Sequence, residues 1–175
     1  MPAKRLTCQI HKFGGASLAD ERAVKHAASL VTARKGRRVV VASAMGGVTD
    51  LLLAGAARAA AGDGEGLREA AATLRRRHLA AARALVRDAA RRRALEKVIT
   101  VSTNELEELA RGLAVLRELT PRTSDYLVAR GERLSARLLA AALAELGTRS
   151  EYVDATELVK VDGHFGGASP DFAAT

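Results

Sequence analysis

The first sixty residues carry the same unit twice, and this doubling constrains the fold more than any other feature of the chain. Residues 5–12, RLTCQIHK, alternate polar and apolar at Leu6, Cys8 and Ile10, the period of a half-buried strand. Gly14-Gly15 break the run. A helix then reads through ERAVKHAASLVTARK, with Ser17 or Asp20 as its cap and Gly36 as its stop. RRVVVASA follows, a β-branched run suited to a buried strand. It ends in a second glycine pair, Gly46-Gly47. VTDLLLAGAARAAA then resumes helical character, with Thr49 or Asp50 near its start. Strand, glycine loop and helix, twice in succession, predict an α/β layered fold with a largely parallel sheet.

Both loops have the composition of an anion cradle. Backbone N–H groups at a helix start have no partner within the helix, and the helix dipole adds positive potential there. Glycine lets a ligand approach the backbone, since no Cβ intervenes. KFGGAS places Lys12, Gly14, Gly15 and the Ser17 hydroxyl within one short stretch. ASAMGGVTD places Ser43, Gly46, Gly47, Thr49 and Asp50 in another. Neither matches GxxxxGK[ST] or GxGxxG. Each loop alone reads equally well as a tight turn. Two at the same relative position favour phosphate handling, because ligands of open parallel sheets sit off the carboxyl ends of the strands.

Further along, residues 61–66 read as a loop and 67–97 as one or two surface helices. Residues 103–118 form an amphipathic helix, with Leu106, Leu109, Leu113 and Leu116 at helical spacing and Pro121 as its end. Residues 123–147 are a second helix, capped near Thr123–Asp125 and stopped by Gly147. SEYVDA is a short strand candidate, and the remainder is glycine-rich loop. Within RGERLSAR, Gly131 interrupts a helix at a cost of about 1 kcal/mol against alanine, which signals a deviation or a close approach. Glu132 beside it has two readings. One is a solvent-facing partner of Arg133 or Arg137, which the pattern alone favours. The other is an acceptor for a cationic ligand group.

Composition narrows the class. The chain has 175 residues and is 48% hydrophobic, enough for one domain with a core. Aromatics are 3% and Trp is absent, so the core is built from Ala, Leu and Val. Cys8 is the one cysteine, which excludes an internal disulfide and points to a reducing compartment. No secretory leader pattern or membrane-length apolar run is seen, so a cytoplasmic protein with no membrane partner is expected. Of the net charge of +8, residues 66–97 hold +7, from ten basic and three acidic side chains. That basic segment has no aromatic platform and no nucleic-acid motif, so solvated helix faces are the favoured reading over nucleic-acid binding through 68–97. His11, His26, His78 and His164 lack zinc spacing, and no dedicated metal site is expected.

Four segments in order resemble the aspartate kinase branch of the amino acid kinases. KFGGAS resembles that family's KFGGTS, and VVVASAMGGVTDLL its S-A-x-x-G-x-T-D-x-L loop. LTPRTSDYLVARGERLSARLLAAAL resembles the signature helix with its G-E-R-x-S core, and VDGHFGGASPD the F-G-x-A-x-P-D loop. The resemblance implies a three-layer αβα sandwich, truncated here. It implies ATP-dependent phosphorylation of the β-carboxylate of L-aspartate, the first step towards lysine, threonine and methionine. Lys12 then matches the lysine that stabilises the transferring phosphoryl group. Gly14, Gly15, Ser17, Ser43, Gly46 and Gly47 fall in the phosphate loops. Ser43, Thr49 and Glu132 match the aspartate site, Glu132 facing the α-ammonium, which reverses the pattern-based preference. Mg²⁺ would come with the nucleotide. Ala16 departs from the family's usual threonine. The family's ATP-binding half and ACT regulatory domains have no counterpart in residues 1–175, so an inactive fragment with a tendency to form homo-oligomers is expected. The alternative is a short homologue that binds aspartate or a partner without catalysis.

Overall fold

The doubled unit folds as two parallel strands, each feeding a helix through its glycine loop. The structure is a computed structural model that describes residues 8–175, so residues 5–7 of the expected first strand lie outside it. β1 (Cys8–Phe13) and β2 (Arg37–Ala42) pair in parallel from Cys8↔Arg37 to Phe13↔Ala42. The helices are α1 (Glu21–Thr32), α2 (Val48–Ala60), α3 (Gly64–Leu85), α4 (Ala89–Leu116), α5 (Pro121–Glu145) and a single turn, α6 (Ala155–Leu158). The α/β class is as expected.

The pleat sorts the side chains of the two strands. Phe13, Val40 and Ala42 pack on the helical core. Ile10 (75% exposed), Val39 (51%) and Val41 (48%) point the other way. Parallel strands are normally covered on both faces. Of the three expected layers, the described residues therefore form the sheet and one helical layer. The core itself is Leu, Ala and Val with Ile99 and Met45, and no aromatic is fully buried among the described residues.

Several element boundaries differ from expectation. Asp20, not Ser17, caps α1 by accepting from Ala23 N at 2.9 Å. Ser17 lies in a 3-10 turn, Gly15–Leu18. Thr49 and Asp50 lie in the first turn of α2, near its start as expected. Its N-cap is Gly47, at φ 73°, a left-handed conformation that glycine adopts without strain. The largest difference is α4, one continuous helix where a basic helix ending at 97 and an apolar one starting at 103 were expected. The intervening VITVS is β-branched and has weak helix propensity. Burial of Ile99 and Thr103 against neighbouring helices overrides it. Pro121 does not end that helix. Arg117 does, at φ 52°, and Pro121 opens α5 under a Thr120 cap that accepts from Thr123 N at 3.1 Å.

The basic segment is less solvated than its composition suggests. α3 places Leu67, Leu74, His78 and Ala81 in the core. Three of its five arginines pair with acids, Arg68 with Glu65, Arg75 with Glu107 and Arg83 with Glu96, as does Arg91 of α4 with Glu145, all within 3.1 Å. SEYVDA forms no strand: residues 150–154 are irregular and Ala155 opens α6. Side chains tether it to α5: Ser150 Oγ donates to Ala140 O at 2.7 Å, and Arg133 pairs with Asp154 at 3.0 Å. A cavity of about 600 Å³ separates it from the free edge of β2, which is why no ladder forms.

Candidate active site

Both glycine loops leave the sheet at the same level, because Phe13 and Ala42 are register partners at the strands' carboxyl ends. Ser43 N donates to Phe13 O at 3.0 Å and joins the two exits. The first loop is closed by Ser17 N to Gly14 O, 3.0 Å, and the second by Val48 N to Met45 O, 3.0 Å. The loops touch. A Cβ on Gly46 would sit 3.2 Å from Ala19 Cα and 3.4 Å from Gly15 O, and a Cβ on Gly15 would sit 3.4 Å from Ala44 O. Gly15 and Gly46 thus let the two loops pack backbone against backbone, while the space beside Gly47 is open.

Lys12 is the last residue but one of β1 and is exposed. Its Nζ lies 3.5 Å from where a Gly14 Cβ would stand, so the ammonium folds over the first loop. Ser43 and Thr49 are half-buried, on the exit of β2 and in the first turn of α2. Gly46 and Gly47 complete the second loop, on a floor of fully buried Ala44, Met45 and Val48.

α5 reaches this floor through Gly131. A Cβ there would lie 2.8 Å from both Ala44 Cβ and Val48 Cγ1. Of the two readings of that glycine, close approach is the one realised. Glu132 is the next residue along α5 from this contact. The ion-pair reading of Glu132 does not form. Arg133 is held by Asp154 and Arg137 stacks over the Tyr152 ring at 3.8 Å. Glu132 Oε2 is buried with no hydrogen-bond partner among the described residues. A buried carboxylate oxygen without a donor is costly, and a ligand ammonium group relieves it.

Neither of the two cavities follows the paired loops. The larger runs along β2, and the smaller, about 220 Å³, is lined by His11, Lys12, Phe13, Leu30 and Arg34. The loop geometry defines the site. Among the described residues no three His, Cys, Asp or Glu side chains cluster as a metal cage. One contact had no signal in the sequence pattern: Arg77 of α3 reaches both loops, its Nη2 lying 3.1 Å from Ala19 O and 2.8 Å from Gly46 O.

The sequence model described as "Amino acid kinase family" matches residues 7–171. The chain belongs to the amino acid kinase family. Among its relatives, aspartokinase 1, chloroplastic, of Arabidopsis thaliana is 37% identical over 89% of this chain and 26% of its own length. Lysine-sensitive aspartokinase 3 of Escherichia coli is 32% identical over 94% of this chain and 35% of its own. The crystal structure of E. coli aspartokinase III with aspartate and ADP superposes with a TM-score of 0.83 at 29% identity, over 96% of this chain and 36% of that one. The same enzyme with lysine and aspartate gives 0.82. This amino acid kinase chain thus spans between a quarter and somewhat over a third of these proteins. No helix among its described residues is long and apolar enough to cross a membrane.

Proposed function

We propose that the chain is the amino-acid-binding part of an aspartate kinase, which transfers the γ-phosphoryl group of ATP to the β-carboxylate of L-aspartate. The observation that carries this reading is the unpartnered buried oxygen of Glu132 beside two touching glycine loops with Lys12 over one of them. Glu132 receives the α-ammonium of aspartate. Ser43 and Thr49 hold its carboxylates by hydroxyl donation. That leaves the β-carboxylate at the mouth of the paired loops. Backbone N–H groups around Gly14, Gly15, Gly46 and Gly47, with the Ser17 hydroxyl, face the phosphate oxygens. Lys12 supplies a mobile charge that follows the transferring group. The bare-backbone cradle fits a polyphosphate, and Mg²⁺ carried on the nucleotide would neutralise its charge. The chain's own contribution is positioning and electrostatics, with no covalent enzyme intermediate.

The reading places the protein in the cytoplasm, consistent with one free, exposed cysteine, Cys8. The basic segment has no aromatic side chain to stack a base, and four of its ten basic side chains pair with acids, which supports small-molecule partners over nucleic acid. Because the chain is a fraction of its relatives' length, these 175 residues bind aspartate without turnover. Titration calorimetry tests the first part: L-aspartate binds, and Glu132→Gln weakens it at least about tenfold by removing one charge-assisted bond. Equal binding by the variant, or none by the wild type, overturns the reading. Aspartyl phosphate trapped with hydroxylamine from ATP and this chain alone overturns the inactivity.

A further inference from the structure

We infer that Arg77 is a positioning residue that holds the two glycine loops as a single site. Each loop contributes one carbonyl outside the regular helices. Ala19 O lies between the 3-10 turn and α1, and Gly46 O precedes α2. One guanidinium nitrogen of Arg77 donates to both, at 3.1 and 2.8 Å. A single NH₂ group has two hydrogens, so it is fully used by this bridge. The guanidinium is partly buried, where charge-assisted bonds are stronger than at the open surface.

The position of the bridge matters more than its strength. At the strand ends the loops are joined by Ser43 N to Phe13 O. Beyond that they meet only through van der Waals contact at Gly15, Ala19, Ala44 and Gly46. Van der Waals contact resists compression and does little to resist separation. Arg77 ties the far side of each loop to the other, and it does so from α3, an element independent of both. α3 is anchored by buried Leu74 and His78, which flank Arg77 in sequence. The loop spacing is therefore set by the helical core. Its neighbour Arg75 makes a similar fork towards α4, to Thr103, Asn104 and Glu107, and touches neither loop. Arg75 is a built-in control of equal chemistry.

The consequence for ligands rests on the aspartate kinase reading, while the consequence for the loops does not. Hydrogen exchange on the 175-residue chain separates them. In Arg77→Met the amides of Ser17 and Val48 exchange about tenfold faster together, as both lose a shared constraint. Arg77→Lys, which keeps charge and donors on a shorter stem, falls between, and it carries the test should Arg77→Met not fold. Arg75→Met leaves both amides at the wild-type rate. Calorimetry with L-aspartate, and separately with MgATP, gives a Kd raised about tenfold in Arg77→Met for whichever the wild type binds. Unchanged exchange in Arg77→Met, loosening of one loop only, or equal loosening in Arg75→Met each overturn the clamp, and loosened loops with unaltered affinity overturn its consequence for ligands. Coupled loosening in a wild-type background that binds neither ligand leaves the clamp standing and removes the aspartate kinase reading instead.

Discussion

Gly131 is a glycine for a reason that only its neighbours reveal. Both atoms that a Cβ would meet at 2.8 Å belong to fully buried side chains, Ala44 and Val48. Neither can swing away. Gly131→Ala would gain helix propensity and lose more by overpacking, a net cost of about 1–3 kcal/mol. Urea denaturation measures this, and an unchanged or raised midpoint would contradict the close packing. His78 gives a second residue-scale prediction. It is buried among helices, with Nδ1 2.9 Å from Leu74 O and Nε2 unpartnered. Burial pulls its pKa down from 6.5 to about 4. The unfolded chain therefore binds a proton that the folded chain refuses. Stability from this group is complete above pH 6.5 and drains as pH falls towards 4, by about 3 kcal/mol at most. His78→Leu should flatten the stability difference across that window, and parallel curves for the two proteins would refute it. Lys12 and the glycine pairs could be read in the sequence because their chemistry lies within a few adjacent residues. Arg77 could not, since the carbonyls it binds lie far from it in the chain, and a donor to backbone leaves no residue-type signature.

At the scale of elements, periodicity located the strands and most helices, and it failed where packing outweighs propensity. VITVS within α4 is the clear case. Five residues of low helix propensity read as a break, yet Ile99 is fully buried and Thr103 Oγ1 bonds back to Ile99 O at 3.0 Å and accepts from Arg75 Nε at 2.7 Å. Continuity of α4 rests on those contacts. Ile99→Ala should cost about 2–5 kcal/mol, the range for a buried aliphatic deletion. A loss below about 0.5 kcal/mol, the range of surface changes, would show that the segment is not packed. SEYVDA failed in the other direction. Its alternation suits a strand, but a strand needs an edge within reach of its hydrogen bonds, and the cavity beside β2 removes it.

At the scale of the molecule, the unusual feature is a parallel sheet with one naked face. Ile10, Val39 and Val41 form a contiguous apolar strip, since Ile10 and Val39 are register partners and Val41 follows on the same face. RRVVVASA reads in sequence as a buried strand, whose two faces would both be covered. One face is open instead, because the covering layer is a property of the whole architecture and not of the strand. The neighbouring free edge of β2 adds unpaired backbone groups to the same region. An apolar strip beside an open edge favours pairing with another copy. Light scattering across protein concentration should therefore show reversible self-association. Val41→Lys places a charge at one end of the strip, at a position already half exposed, so it should reduce association while leaving stability within about 0.5 kcal/mol of wild type by urea denaturation. A monodisperse wild-type monomer at high concentration, or association that Val41→Lys leaves intact, would place the sticky surface elsewhere or deny it altogether.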